Sequence, residues 1–109
     1  MGLNYTPIGG QEVSAMGHES ITVAATAIGF TSGTITPATG RPASRAFVTA
    51  ETAQMRYTYD GTTPTSSIGH LLDVGDILVI EGIINVQDFL AIRTTGTSGN
   101  IRATFDRFK

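Results

Sequence analysis

Residues 46–76 read AFVTAETAQMRYTYDGTTPTSSIGHLLDVGD, and this stretch limits what the chain can fold into more than any other. It opens as two alternating segments. In residues 54–59, Met55, Tyr57 and Tyr59 fall on one side and Gln54, Arg56 and Thr58 on the other. That period of two marks a half-buried strand, so the three apolar residues are expected on the core face. Glu51-Thr52-Ala53 interrupts the alternation and predicts a turn or bulge. Asp60-Gly61 is a strong turn signal. An aspartate can bond its own backbone two residues on, and glycine supplies a positive φ. The following TTPTSSIG makes the connection a longer loop instead of a tight hairpin, with Pro64 stiffening it. Residues 68–72 are expected to form a short helical turn or a brief strand that plugs the end of the domain.

The rest of the chain is cut in the same way. Residues 20–27 (SITVAATA) predict a first strand with Ile21, Val23 and Ala25 facing one way. Residues 28–44 hold Gly29, Gly33, Gly40, Pro37 and Pro42 and read as loops, with a short β excursion at 33–36. Residues 76–81 (DILVIE) form a nearly continuous apolar run between Gly75 and Gly82, the pattern of a strand buried on both faces. Residues 83–86 are expected to continue it, and residues 88–94 form another strand. Residues 100–108 close the fold, with Ile101, Ala103 and Phe105 inward and Arg102, Thr104 and Asp106 outward. The sum is roughly seven to eight short antiparallel strands at regular spacing, an all-β, single small β-sandwich of jelly-roll-like type. Residues 1–11 read as an extended N-terminal arm, jointed at Gly9-Gly10 and kept out of any central strand by Pro7. Tyr5 and Ile8 are its expected anchors. Residues 12–109 make up the sandwich domain.

Composition narrows the partners. A chain of 109 residues makes one domain. It buries roughly two-thirds of its unfolded surface, enough for one core. Only 15% of residues are charged and the formal net charge is -2. A basic footprint for nucleic acid is missing, as is a polybasic run for a membrane surface. With no cysteine, neither a disulfide framework nor a Cys-based zinc site can form. No apolar run approaches the ~18 residues of a membrane span. Met1-Gly2 with Thr6 matches the offset of a myristoylation signal, but no basic cluster follows to supply a second membrane signal. Six arginines against the single Lys109 suit planar pairing with carboxylates, chiefly as arginine–aspartate pairs on strand faces.

Candidate chemistry is thin. His70-x-x-Asp73-x-x-Asp76 has metal-ligand residue types, but Gly69 and Gly75 argue against the helix that would align them. His18-Glu19 reads as an exposed turn. Ser66, Ser67 and His70 lack a nucleophile-elbow context. The Gly29–Gly33 and Gly96–Gly99 spacings lack the strand–loop–helix setting of a phosphate loop. No enzyme activity, metal or cofactor is expected. A glycan-binding module remains a competitor, weakened by the absence of Trp and by the assignment of Tyr57 and Tyr59 to the core.

One frame within the chain goes beyond periodicity: Glu51-Thr52-Ala53, Arg56-Tyr57, Asp60-Gly61-Thr62, Pro64-Thr65, Gly69-His70-Leu71, Gly75-Asp76, Gly82, and Phe89 to Thr94. It resembles a group of small tailed-bacteriophage and prophage virion proteins over the C-terminal half to two-thirds of the chain. The resemblance implies a structural, non-enzymatic role in a phage particle assembled in the host bacterial cytoplasm. The first expectation is a capsid decoration (cement) protein that bridges major capsid protein subunits, itself a homo-oligomer with a trimer favoured. A head–tail or tail-associated component is the alternative. The frame carries no chemistry. The contact residues expected from flexibility and turn chemistry are Tyr5, Pro7 and Ile8 in the arm and Asp60, Thr62, Pro64, Thr65 and His70 in the loop. His70 is expected to satisfy loop carbonyls, and Arg56 and Arg93 to pair with Glu51, Asp60 or Asp76.

Overall fold

The computed structural model describes residues 13–108. The expectations for Tyr5, Pro7 and Ile8 lie outside the described residues. Among the described residues seven strands and two short helices follow in the order β1 (Val13–Val23), α1 (Ser32–Ile35), β2 (Arg45–Glu51), β3 (Met55–Thr58), β4 (His70–Leu72), β5 (Ile77–Glu81), α2 (Ile83–Asp88), β6 (Leu90–Arg93) and β7 (Gly99–Phe108). They build a four-stranded sheet in the order β1-β7-β2-β5 and a three-stranded sheet in the order β4-β3-β6. Every pairing is antiparallel.

This order is that of a jelly roll lacking one strand. An eight-stranded jelly roll faces a 1-8-3-6 sheet with a 2-7-4-5 sheet. Deleting strand 2 and renumbering gives the two sheets seen here. The vacant place lies beside β6, where Ile28 makes an isolated antiparallel bridge to Ala91. The bridge is held by reciprocal backbone bonds of 2.9 Å. Residues 24–31 therefore pass where a full strand would run, held to β6 by that bridge and by Arg93 N–H donating to the Ala24 carbonyl (3.1 Å).

The core lies between the sheets. Ile21 and Val23 from β1, Ala46, Val48 and Ala50 from β2, and Ile101, Ala103 and Phe105 from β7 are buried on one side; Met55, Leu72 and Ala91 meet them from the other. Phe30 stacks on Phe89 at 4.5 Å between ring centroids and 9° between planes, and meets Phe105 edge-on at 4.9 Å and 76°. Both are favourable aromatic geometries. The small Ala46, Ala50, Ala91 and Ala103 leave room for these rings to interdigitate. Gly99 belongs to the same fit, since a Cβ there would come within 2.6 Å of Met55 Sδ and 2.9 Å of the Ala53 carbonyl oxygen.

Several expectations are corrected. The first strand runs over Val13–Val23, so Ala25 is exposed beyond its end. Pairing with β7 from Val13↔Phe108 to Val23↔Gly99, with an irregularity between Ala15 and Gly17, draws in a segment whose own alternation is weak. Residues 33–36 belong to a helical turn instead of a β excursion. The Thr31 carbonyl accepts from Thr34 N–H (2.9 Å) and Ile35 N–H (3.2 Å), and the turn seats Ile35 in the core. Residues 83–86 turn helical because Gly82, at φ 107°, breaks the extended path. Val86 N–H then donates to the Gly82 carbonyl (3.0 Å), and Val86 becomes fully buried.

The correction with most consequence concerns β5. Among the described residues it is an edge strand, paired with β2 alone, and it is not buried on both faces. Ile80 points inward at 5% exposure, but Ile77 and Val79 are 65% and 47% exposed on the outer face of the larger sheet.

Candidate functional site

The loop between β3 and β4 is the best-defined local structure outside the core. It folds back over the outer face of the smaller sheet. Thr62 N–H donates to Asp60 Oδ1 at 3.0 Å, closing the expected Asx turn, and Gly61 takes φ 89°. The Thr62 amide also holds the Asp60 carboxyl below the usual carboxylate range, the Thr62 side chain adding to it and the His70 charge contributing last. Thr65 Oγ1 accepts from Ser67 N–H (3.2 Å) and Ile68 N–H (3.0 Å). Thr65 N–H donates to the Ile68 carbonyl at 3.0 Å. Gly69 sits at φ 120°, and a Cβ there would lie 2.9 Å from the Tyr57 carbonyl oxygen.

Two β3 side chains fasten the loop to the sheet. Arg56 Nε donates to the Ser66 carbonyl (2.9 Å) and Nη1 to the Gly69 carbonyl (2.8 Å). Thr58 Oγ1 donates to the Thr62 carbonyl. Arg56 thus holds backbone oxygens in place of the expected carboxylate, and Arg93 turns to Ser98 Oγ at 3.3 Å. Of the expected contact residues, Asp60, Thr62 and Thr65 in the loop and His70 at the start of β4 are exposed. Pro64 is the correction. It is under 2% exposed, so it anchors the loop from beneath and offers no contact to a partner.

A cleft opens beside this loop, on the side of the sandwich where β4 and β5 leave free edges. One part, about 320 Å³, is lined by Tyr57, Tyr59, Leu78, Val79, Glu81 and Asn85, among others. The adjoining part, about 410 Å³, is lined by Thr58, Tyr59, Asp60, Thr62, Gly69 and His70. Tyr59 belongs to both and is 44% exposed, contrary to the core position that the alternation predicts. β3 ends at Thr58, so the period of two no longer orients the next residue. The Tyr59 ring lies 6.3 Å from His70 at 24° and 6.4 Å from Tyr57 at 24°. Tyr57 in turn lies 6.0 Å from Phe89. A file of rings therefore runs from the core to the surface. His70 packs its ring into that file, 5.4 Å from Tyr57, and not against loop carbonyls as expected. Burial pushes the Tyr57 phenol up, with the neighbouring Tyr59 and Asp76 adding smaller amounts in the same direction.

Asp73 and Asp76 are occupied in the turn before β5. Asp73 N–H donates to Asp76 Oδ2 (2.8 Å), and Gln54 Nε2 donates to Asp73 Oδ1 at 2.6 Å. Among the described residues no group of three or more His, Cys, Asp or Glu is placed to hold a metal ion. The expected strand-face pairs are present: Arg45 Nε reaches Asp106 Oδ2 at 2.9 Å, and Arg102 Nε reaches Glu51 at 3.0 Å.

The second surface was not expected. On the outer face of the larger sheet Phe47 lies opposite Val79 and Thr49 opposite Ile77. Phe47 is 45% exposed, so Phe47, Ile77 and Val79 form one apolar corner along an unpaired edge. The signal for it was present in the uninterrupted apolar run of 77–80, read there as burial within the sheet. Arg56, Thr58, Asp60 and Thr65 all engage loop backbone. No family model, curated protein or solved structure matches the chain.

Proposed function

We propose that this chain is a non-enzymatic structural subunit of a tailed-phage virion, a capsid decoration protein that stabilises the head by bridging capsid subunits. The observation that carries the reading is the apolar corner Phe47–Ile77–Val79 on a free sheet edge. An apolar corner on a sheet edge is surface that a subunit of an assembly covers on docking. The stapled loop supports it: a loop already held by Arg56 and Thr58 loses little entropy on binding. The phage frame in the sequence supplies the kind of assembly. The mechanism is mechanical. Arm and loop each contribute modest contacts, and symmetry multiplies them into avidity.

The test is co-sedimentation of the purified chain with undecorated phage shells, with and without residues 1–10. The full chain is expected to saturate the shells and the shortened one to bind weakly while keeping its circular dichroism spectrum. Equal occupancy would remove the arm from the mechanism. No binding by either chain would remove the decoration role.

The Tyr59–His70 cleft favours a second reading, a glycan-binding module. An exposed ring flanked by Asp60, Glu81 and Asn85 offers a stacking platform with polar groups at its rim. A glycan-array signal abolished by Tyr59→Ala would move the assignment to that reading.

A further inference from the structure

Asp60-Gly61 is the one place in the chain where an aspartate precedes a glycine. Such a step isomerises without enzyme, metal or oxidant. The glycine nitrogen bonds to the aspartyl Cγ, and its amide proton leaves with the carboxyl hydroxyl as water. Water then breaks the bond between the aspartyl main-chain carbonyl and that nitrogen. The chain afterwards runs on through Cβ and Cγ, and the old main-chain carbonyl has become a free carboxylate. Bulk does not prevent this here. Both residues are exposed, and a Cβ built on Gly61 would meet a single neighbouring atom, Asp88 Oδ2 at 3.9 Å. What stands in the way is hydrogen bonding. Asp60 Oδ1 accepts from Thr62 N–H at 3.0 Å, and the Thr62 side chain and the Asp60 amide also bond the carboxyl. Those bonds, with the His70 charge from β4, keep it ionised, and an ionised carboxylate has no hydroxyl to lose. For the nitrogen to reach Cγ the carboxyl must leave its donors. The peptide must also turn away from the φ of 89° at Gly61. Thr58 resists that turn by donating to the Thr62 carbonyl, and Arg56 by holding the carbonyls of Ser66 (2.9 Å) and Gly69 (2.8 Å).

We infer that Asp60-Gly61 is a site of spontaneous isoaspartate formation, held shut by the Arg56 and Thr58 staples while the loop is folded. The reaction proceeds from the open loop, so its rate follows the open fraction wherever opening and closing are fast beside the chemistry. Losing a staple that includes a charge-assisted bond raises that fraction by a factor of about 5–30. The product does not fit the closed loop. One carbon is added to the main chain, lengthening it by about 1.5 Å between two fixed points, Thr58 and the Thr62 carbonyl that Thr58 holds. The carboxylate that closed the turn is now main chain, so the Thr62 amide loses its acceptor. A single opening is thereby recorded covalently, at the residues that border the cleft of Tyr59, Asp60, Thr62 and His70. The inference goes beyond the assembly reading and does not need it, because it concerns the chain by itself.

The experiment incubates full-length chains for several weeks at neutral pH. Isoaspartate at residue 60 is then counted by peptide mapping with electron-transfer fragmentation, which separates the two isomers. The same chain unfolded in urea sets the unprotected rate. The folded, unaltered chain is expected to react at least about fivefold more slowly than that. Arg56→Ala, with its circular dichroism unchanged, is expected to react about 5–30 times faster than the unaltered chain. Thr58→Val, which removes the hydroxyl and keeps the shape, should move the rate in the same direction and serves if the arginine variant does not fold. Asp60→Ser, which keeps an oxygen for the turn, should yield no product. Isoaspartyl protein purified from the mixture is expected to show fast amide exchange over residues 62–69 with β7 still protected. Equal rates for the folded and the urea-unfolded chain would overturn the inference, and this comparison needs no variant. A folded staple variant that reacts at the unaltered rate would overturn it too. Unchanged exchange in the isoaspartyl protein would overturn the claim that the product leaves the loop open.

Discussion

Arg56 lies on the outer face of β3, and its guanidinium reaches two carbonyls ten and thirteen residues along the chain, those of Ser66 and Gly69. Charge-assisted bonds to backbone are worth about 1.5–3 kcal/mol when buried; these are partly exposed. Arg56→Ala is expected to destabilise the chain by about 1–2 kcal/mol in urea titration and to speed amide exchange in residues 62–69 while β7 stays protected. Equal acceleration in β7 would show that the loop and core open together. Gly69→Ala tests the same loop by backbone strain. A Cβ at φ 120° and 2.9 Å from the Tyr57 oxygen should cost at least 1–2 kcal/mol. Two groups contribute to the pH response. Asp60 titrates below its ordinary 3.8, so its contribution is complete above that pH and disappears as the pH falls through the lower folded value. Tyr57 titrates above its ordinary 10.0, so its contribution is complete below that pH and is lost as the pH rises through the folded value. A spectroscopic titration should find a phenol step above the ordinary tyrosine range, and Tyr57→Phe should remove that step.

Among the elements, the strands of the larger sheet were legible in the sequence wherever burial alternates. Ile101, Ala103 and Phe105 on β7, and Ala46, Val48 and Ala50 on β2, follow the period of two because one sheet face meets the core and the other meets water. The Asp60-Gly61 turn was legible because its residues act locally. Three features were not. A four-residue pattern at 33–36 is too short to separate a helical turn from a strand. Residues 83–86 have the β-branched look of a strand, but Gly82 redirects them and the core takes Val86. An unbroken apolar run says that both faces of β5 are apolar, not what covers them, and in the single chain solvent covers one. That distinction makes a prediction at this scale. Ile77→Lys and Val79→Lys should each change unfolding free energy by less than about 0.5 kcal/mol, as surface substitutions do, while Ile80→Lys, buried at 5% exposure, should unfold the chain. Chemical denaturation of the three variants separates an edge strand from a central one.

At the scale of the whole molecule, a jelly roll missing its second strand has uneven protection. Among the described residues the smaller sheet has three strands and one bridge at Ile28 where a fourth would run, and the larger ends at β5. Between the sheets Phe30, Phe89 and Phe105 pack against one another within one chain. A partner would instead cover the apolar corner, and association then adds to stability by mass action. Binding that favours the folded state contributes about 2.7 kcal/mol when the free partner stands at a hundredfold its Kd. For a domain of this size each kcal/mol moves the melting temperature by about 4–8 °C. The melting temperature of the unaltered chain should therefore climb by on the order of 10 °C from the dilute monomer to concentrations well above the dissociation constant. The curve for Val79→Lys should stay flat and lie on the dilute limit of the unaltered chain. A flat curve for both would mean that the corner is covered by a different protein. A rise for both would place the association at a surface other than β5.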